Sequence, residues 1–533
     1  MNFQKAARPL VMGENGALSS GHYLASLAGM NVMQEGGNAV DAALAAAFVM
    51  TVVRPETCGP GGDLFALVYM KKSGKVEALN ASGPAPARAT IEHFKSRGMN
   101  SIPVSGPLSV AVPGAVDGWL ELHRKCATRD LSRLTRDAVK LAREGFPVHQ
   151  ELIERIEEFS AEFPWIDRMY RQPLHGLRAG KKLYQHGLGK VIEQIASKGR
   201  DGFYRGEVAE KICRTVAAEG GLLTEEDLQT PVAQWLAPLS STYRNFLVYE
   251  QPPVSQGFMV LEMLNIIEDW PMDGATMDEA EKIHYQVSAK KLAFEDRILH
   301  LEDPAFGDPK IAKLTSKEHA AARRQLVSDR AQAAASAPAA LGGDTTFLCA
   351  ADRDGNAIAL IQSIFAPFGS RTIAADTGII LNNRLCSFGL DAAKVNSLKP
   401  GKRPAHTLNT YMVFRGDKFY LAGGSPGADD QPQTNLQVLH NVIDLEMNPQ
   451  LAVEAPRWSH QPGTPPRDQL PEELRMEEGF APEVVEALRE RGHNVSVVGR
   501  WSFGSAKIVL CDRETGTLMA GADPRREAYA LGW

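Results

Sequence analysis

Four times along this chain, two runs of β-forming residues face each other across a short polar turn, and that repeated unit constrains the fold more than any other feature. The units are LFALVYM-KKSGK-VEALNA (64–81), TTFLCAA-DRDGN-AIALIQSIF (345–365), YMVF-RGDK-FYLAGG (411–424) and AKIVLC-DRETG-TLMAGA (506–522). Each turn contains a glycine, which takes the positive φ of a tight reversal without a steric penalty, so each unit predicts an antiparallel hairpin. Four hairpins with helices between them predict antiparallel sheets covered by helices, an α+β layered architecture.

The helices come mainly from the middle of the chain. From about 131 to 330 the pattern turns to helical periodicity rich in charge, as in LTRDAVKLAREGF and GKVIEQIASKG. Within it Thr224 followed by Asp227 resembles a capping box. Earlier, AVDAALAAAFVMTVV (39–53) is too short for a membrane span and carries Asp41, which predicts a buried helix. The stretch RAQAAASAPAALGGD (330–344) is rich in small residues and interrupted by Pro338, and reads as a mobile loop. With 533 residues and 44% hydrophobic content, a large core is available to either one layered domain with a helical insert or several smaller domains.

A net charge of -6 gives no electrostatic case for nucleic acid or an anionic membrane as a partner. Six scattered cysteines without a C-x-x-C pair argue against a zinc ribbon or a dense disulfide framework, and no apolar leader follows the N-terminal MNFQKAARPLVMGENG. A cytoplasmic protein is expected. No metal or organic cofactor is expected either, since H-E-x-x-H, P-loop and dinucleotide fingerprints are all missing.

The second hairpin holds the chemistry. If its turn is centred on Asp354, Thr345 lies opposite Ser363, one hydroxyl against another. The pair reads either as a cross-strand hydrogen bond on a β surface or as the site of a cut made ahead of Thr345. A threonine hydroxyl is a poor nucleophile until a base takes its proton, and a freed α-amine on the same residue, with an unperturbed pKa of roughly 7.7–8.0, can be that base. The turn GGSPGA (423–428) exposes successive backbone N–H groups at Gly427 and Ala428, which suit an oxyanion hole.

Further segments extend this reading. QEGGNAVDAALA (34–45), CGPGGDLF (58–65), VPGAVDGW (112–119), YEQPPVSQG (249–257), DTTFLCAADRDGNAIA (344–359), FGSRTIAADTGIILNN (368–383), KRP (402–404), GGSPG (423–427) and GADPRR (521–526) run in order over nearly the whole chain. Together they resemble the γ-glutamyltranspeptidase family of N-terminal-nucleophile hydrolases. The resemblance implies a four-layer αββα sandwich and a proenzyme that cuts itself between Asp344 and Thr345. Its products would be residues 1–344 and 345–533, which stay associated as a heterodimer, with a further pairing of two heterodimers left open. Thr345 then matches the family's nucleophile, Ser363 its supporting hydroxyl, and Gly427 with Ala428 the two oxyanion donors.

The substrate-facing positions depart from the family pattern. Where transpeptidases hold the glutamyl α-carboxylate with an arginine this chain has Ser82, and where they use a Ser-Ser pair it has His406 and Thr407. The positions that hold the α-ammonium read Phe365, Arg384 and Ser387. A cation at Arg384 would repel an ammonium and could take a carboxylate through two parallel hydrogen bonds, with His406 and Thr407 as further donors. The loop from Phe388 to Lys402 is also shorter than in lidded members, which leaves the site open. The small-molecule substrate expected is an amide whose acyl part carries a carboxylate and no free α-amino group, either oxamate-like or glutaryl-like. Two alternatives stand beside it: a γ-glutamyltransferase or glutathione hydrolase, and an uncut inactive relative serving as a binding or scaffold protein.

Overall fold

The computed structural model describes residues 6–332, 344–461 and 472–533, except positions 175 and 177. The segment read as a mobile loop therefore lies, over 333–343, outside the described residues. Strands that build the main sheets are β1 (Val11–Gly13), β2 (Gly16–Ser20), β3 (Asp63–Met70), β4 (Lys75–Ala81), β5 (Gln234–Leu236), β6 (Leu239–Tyr243) and β7 (Phe246–Glu250). They continue with β8 (Asp344–Asp352), β9 (Ala357–Phe365), β10 (Tyr411–Arg415), β11 (Lys418–Gly424), β12 (Lys507–Cys511), β13 (Leu518–Ala522) and β14 (Tyr529–Gly532).

Among the described residues these form two seven-stranded sheets, β14-β2-β8-β9-β3-β4-β5 and β1-β13-β12-β11-β10-β7-β6. The four hairpins read from the turns are all present: β3–β4, β8–β9, β10–β11 and β12–β13 pair antiparallel. The turn glycines Gly74, Gly355, Gly416 and Gly516 each have positive φ, between 64° and 84°, as a tight reversal requires.

Helices α1 (Tyr23–Gln34), α2 (Ala39–Val53), α3 (Ala115–Cys126) and α4 (Leu131–Glu144) cover the outer face of the first sheet. Every residue of α2 is buried, as its sequence predicts, and its start is fixed by a capping box between Asn38 and Asp41. Helices α5 (Phe258–Ile267), α6 (Glu279–His300) and α7 (Asp430–Ile443) cover the second sheet. Between the sheets lies a third apolar layer that includes Phe65, Leu67, Phe347, Cys349, Met412 and Val509. Strand side chains alternate between faces, so one sheet fills both its helix-side core and this central core. The four layers are thus αββα.

Thr224 and Asp227 form the capping box read from sequence. The largely helical middle segment also contributes strands: β5 and β6 each form an edge of one sheet, and β7 pairs between β6 and β10. The β6–β7 hairpin turns through Arg244, at φ 54°, and Asn245 without a glycine, so the usual turn signal is missing. Five cysteines are buried and Cys511 is half-buried, all as free thiols.

Candidate active site

Thr345 stands at a break in the β8–β9 ladder. Pairing runs in register from Ala351 with Ala357 to Thr346 with Gln362, and then Asp344 pairs with Phe365, so Ser363 and Ile364 together oppose Thr345. A bulge of this kind bends the strand and re-aims the side chains beside it. Here Thr345 Oγ1 donates to Ser363 Oγ at 3.0 Å, with both side chains buried. Ser363 Oγ also accepts the Phe365 N–H at 2.8 Å, which fixes it to the backbone of β9.

The turn after β11 supplies amides to the same place. Gly427 has φ 128° and Ala428 φ 49°, and among the described residues no hydrogen bond engages the N–H of either. The carbonyls of this turn are engaged instead: Gly427 O accepts from Asp430 N–H at 2.8 Å and Ala428 O from Gln256 Nε2 at 3.1 Å. With their oxygens occupied, the two amides remain available to an anionic oxygen.

Thr345 and Gly427 line one cleft of about 410 Å³. Its walls carry five cationic side chains, Arg54, Arg155, Arg371, Lys507 and Arg526, against the acids Glu151, Glu158 and Asp430. Glu151 pairs with Arg54 at 2.8 Å and with Arg526; burial alone would raise its pKa, but the two guanidinium groups bring it down to about 2. Lys507 is buried, donates to Ser505 O at 2.8 Å, and is pushed down by that burial to about 7, with Asp523 opposing the shift. Burial raises the Asp430 carboxyl above its ordinary value. The cleft therefore has more cationic than anionic groups and suits a negatively charged ligand.

The remaining positions singled out in the sequence form a cluster behind β9. Arg384 is fully buried; its guanidinium lies 4.0 Å from the Phe365 ring centroid, its Nε is 3.4 Å from Asp63 Oδ2, and one of its amino groups donates to Thr407 Oγ1 at 3.3 Å. His406 Nε2 shares the same Asp63 oxygen at 3.1 Å. Burial pushes His406 down to about 4 and Arg384 to about 10. The other terminal nitrogen of Arg384, Nη2, is buried without a hydrogen-bond partner, which is a costly arrangement for a cation. Asp63 sits opposite Ser363 in the β3–β9 ladder, and Gln256 donates to both Thr407 O and Ala428 O, so the cluster is tied to both sides of Thr345. Ser387 is half-buried, and its carbonyl accepts from Asn396. Ser82 is buried and bonded to Asn80 at 2.7 Å.

Whole-chain comparison identifies the family. The family model described as gamma-glutamyltranspeptidase matches residues 25–533. The chain belongs to the γ-glutamyltranspeptidase family. Its relatives in this family include the glutathione hydrolase-like YwrD proenzyme of Bacillus subtilis, 36% identical over 98% of this chain and 99% of that protein. The oxamate amidohydrolase proenzyme of Klebsiella pneumoniae is 33% identical over 96% and 97% of the two chains. A cephalosporin acylase from Bacillus halodurans superposes with a TM-score of 0.91 at 34% identity, over 100% of this chain and 98% of that one. The αββα layers are accordingly those of the N-terminal-nucleophile hydrolases, and the chain is an enzyme of that class.

Three residues at or beside the cleft were not read from the sequence: Asp63, Gln256 and Arg371. Asp63 was visible as an acid closing the glycine turn CGPGGD just before an apolar run, where a strand start gives no reason for a charge. Gln256 and Arg371 gave no comparable signal, since both stand in polar loops. Away from the cleft, Glu262, Asp296 and His319 bring three possible metal-ligand atoms within 4.8 Å. Asp296 is already paired with Arg323 at 2.8 Å, and burial lifts the Glu262 carboxyl to about 8. No helix among the described residues is long and apolar enough to cross a membrane.

Proposed function

We propose that the chain is an autoprocessed N-terminal-threonine amidohydrolase acting on an acyl amide that carries a carboxylate and lacks a free α-amino group. The observation that carries this reading is the 3.0 Å bond from Thr345 Oγ1 to Ser363 Oγ at the bulge, on a cleft shared with Gly427 and rich in cations.

In this reading, scission of the Asp344–Thr345 bond leaves residues 1–344 and 345–533 associated and frees the α-amine of Thr345. That amine accepts the proton of Thr345 Oγ1 as the oxygen attacks the substrate carbonyl. The N–H groups of Gly427 and Ala428 stabilise the oxyanion, the amine passes its proton to the departing nitrogen, and water then releases the acyl group. Ser363 holds the attacking oxygen in place. Arg384, with Thr407 and His406 beside it, takes the acyl carboxylate through its unpartnered Nη2, and Phe365 and Ser387 bound that pocket. The activities named for the oxamate amidohydrolase and the acylase suit this pocket better than that named for the glutathione hydrolases, because the buried guanidinium would meet an α-ammonium as a like charge.

The test is substrate profiling of processed protein against oxamate, a glutaryl anilide and a γ-glutamyl anilide. The reading expects turnover of one of the first two and little of the third. Preferred turnover of the γ-glutamyl compound would overturn it.

A further inference from the structure

The mechanism above uses none of the five cations of the Thr345 cleft, and among them Arg371 is the one whose side chain has neither an ion pair nor a donated hydrogen bond among the described residues. It lies on the segment that follows β9, where Phe368, Gly369 and Arg371 all have positive φ, at 56°, 54° and 59°. For non-glycine residues this backbone is strained and persists only where surrounding bonds enforce it. Those bonds are present: Phe368 N–H donates to Glu56 O at 2.9 Å, Gly369 N–H to Ala366 O at 2.7 Å, and Arg371 N–H to Phe368 O at 2.8 Å. Trp165 Nε1 holds the Arg371 carbonyl at 2.8 Å.

The side chain is held as firmly as the backbone. Its guanidinium stacks on Phe159 and Phe163, 4.7 and 4.8 Å from their ring centroids. Aromatic faces orient a guanidinium without neutralising it. Among the described residues it makes no ion pair and donates no hydrogen bond, and its Nε is buried without a partner. Glu162 and Glu158 act on it only through space, while burial lowers its pKa. Arg384 differs in being fully buried beside a counter-charge, Asp63, whereas Arg371 lines the open cleft without one. In the amidohydrolase reading, a substrate with its acyl part toward Arg384 and its carbonyl at Thr345 would place its departing half in that cleft, which Thr345 lines.

We propose that Arg371 binds an anionic group on the leaving-amine half of the substrate, so that the preferred amides are those of amines carrying a carboxylate. The proposal rests on the amidohydrolase reading given above and adds the identity of the second half of the substrate. Because a planar guanidinium grips a carboxylate through two parallel bonds, lysine in its place should recover only part of the preference.

The experiment compares N-glutaryl-4-aminobenzoate with N-glutaryl-4-aminobenzamide, which differ only in that carboxylate, on processed protein and on Arg371→Gln and Arg371→Lys. Two-chain processing and melting temperature serve as folding controls. The expected result is a kcat/KM ratio favouring the carboxylate roughly 10- to 100-fold in the native protein, falling to near unity in Arg371→Gln and intermediate in Arg371→Lys. A ratio unmoved by Arg371→Gln, or already near unity in the native protein, overturns the proposal. If neither anilide is turned over, the glutaryl form of the substrate is what has failed, and calorimetric titration with free 4-aminobenzoate and 4-aminobenzamide then decides the binding claim. Selective binding of the benzoate that is lost in Arg371→Gln supports it, and equal or absent binding of the two overturns it.

Discussion

Thr345 Oγ1 donates its proton to Ser363 Oγ at 3.0 Å, across the one position where the β8–β9 ladder slips register. The bond sets the direction of the Thr345 hydroxyl, so its loss frees a rotamer that the strand alone does not fix. Ser363→Ala should slow both self-cleavage and amide turnover by roughly tenfold or more, while Ser363→Thr keeps most of each. Time-resolved denaturing gels and steady-state rates on the same preparations provide the comparison.

Thr345→Ala removes the hydroxyl that both steps need. A single full-length band and no turnover are expected, and Edman sequencing of the native small fragment should begin Thr-Thr-Phe-Leu. A variant still cut at that bond would assign the cleavage to another group.

Gly427 has φ 128°, a region open to glycine and strained for any other residue. Gly427→Ala should therefore shift the turn and cut kcat at least tenfold with a smaller change in KM, as expected when a transition-state contact is disturbed. Steady-state kinetics separates the two constants.

Asp63 is the carboxylate facing both buried Arg384 and buried His406. Asp63→Asn keeps the shape and leaves the guanidinium without a counter-charge, which costs about 3–5 kcal/mol. Urea unfolding should show the loss, and a drop below about 1 kcal/mol would mean that water reaches the cluster.

Acid should destabilise the protein through its histidines. Burial is the leading cause at each of four sites, holding His149 and His406 down to about 4 and His460 and His493 to about 3. An unfolded imidazole gains its proton near pH 6.5, so between that pH and roughly 4 the unfolded chain binds more protons than the folded one. The stabilisation is complete above this window and is lost as the pH falls through it, each site steepening the slope by about 1.4 kcal/mol per pH unit. Urea midpoints at pH 7, 6 and 5 should fall in that order, and His493→Gln should flatten the trend.

How much of this was legible depended on how local the signal was. The β8–β9 register followed from a turn of fixed geometry, so the Thr345–Ser363 pairing could be counted off the sequence, although the bulge that sharpens it could not. The α2 helix was legible because thirteen of its fifteen residues are small or apolar and leave no polar face. The β6–β7 hairpin was not, because its turn lacks glycine and its neighbours are helical. Arg384 was picked out as a cation, but its partner Asp63 lies 321 positions away and no local pattern joins them. Arg371 was hidden for a similar reason: Phe159 and Phe163, which cradle it, belong to a helical stretch more than 200 positions earlier.

In the first sheet, β2, β3, β4 and β5 precede residue 344 while β8, β9 and β14 follow it, and the second sheet is shuffled in the same way. A chain severed ahead of Thr345 would keep its shape, since neither sheet belongs to one piece alone. Its return from denaturation would nevertheless become a second-order reaction, dependent on dilution, whereas the uncut precursor would refold as a single molecule. The cut would make maturation a one-way passage, leaving an assembly whose persistence depends on never coming apart.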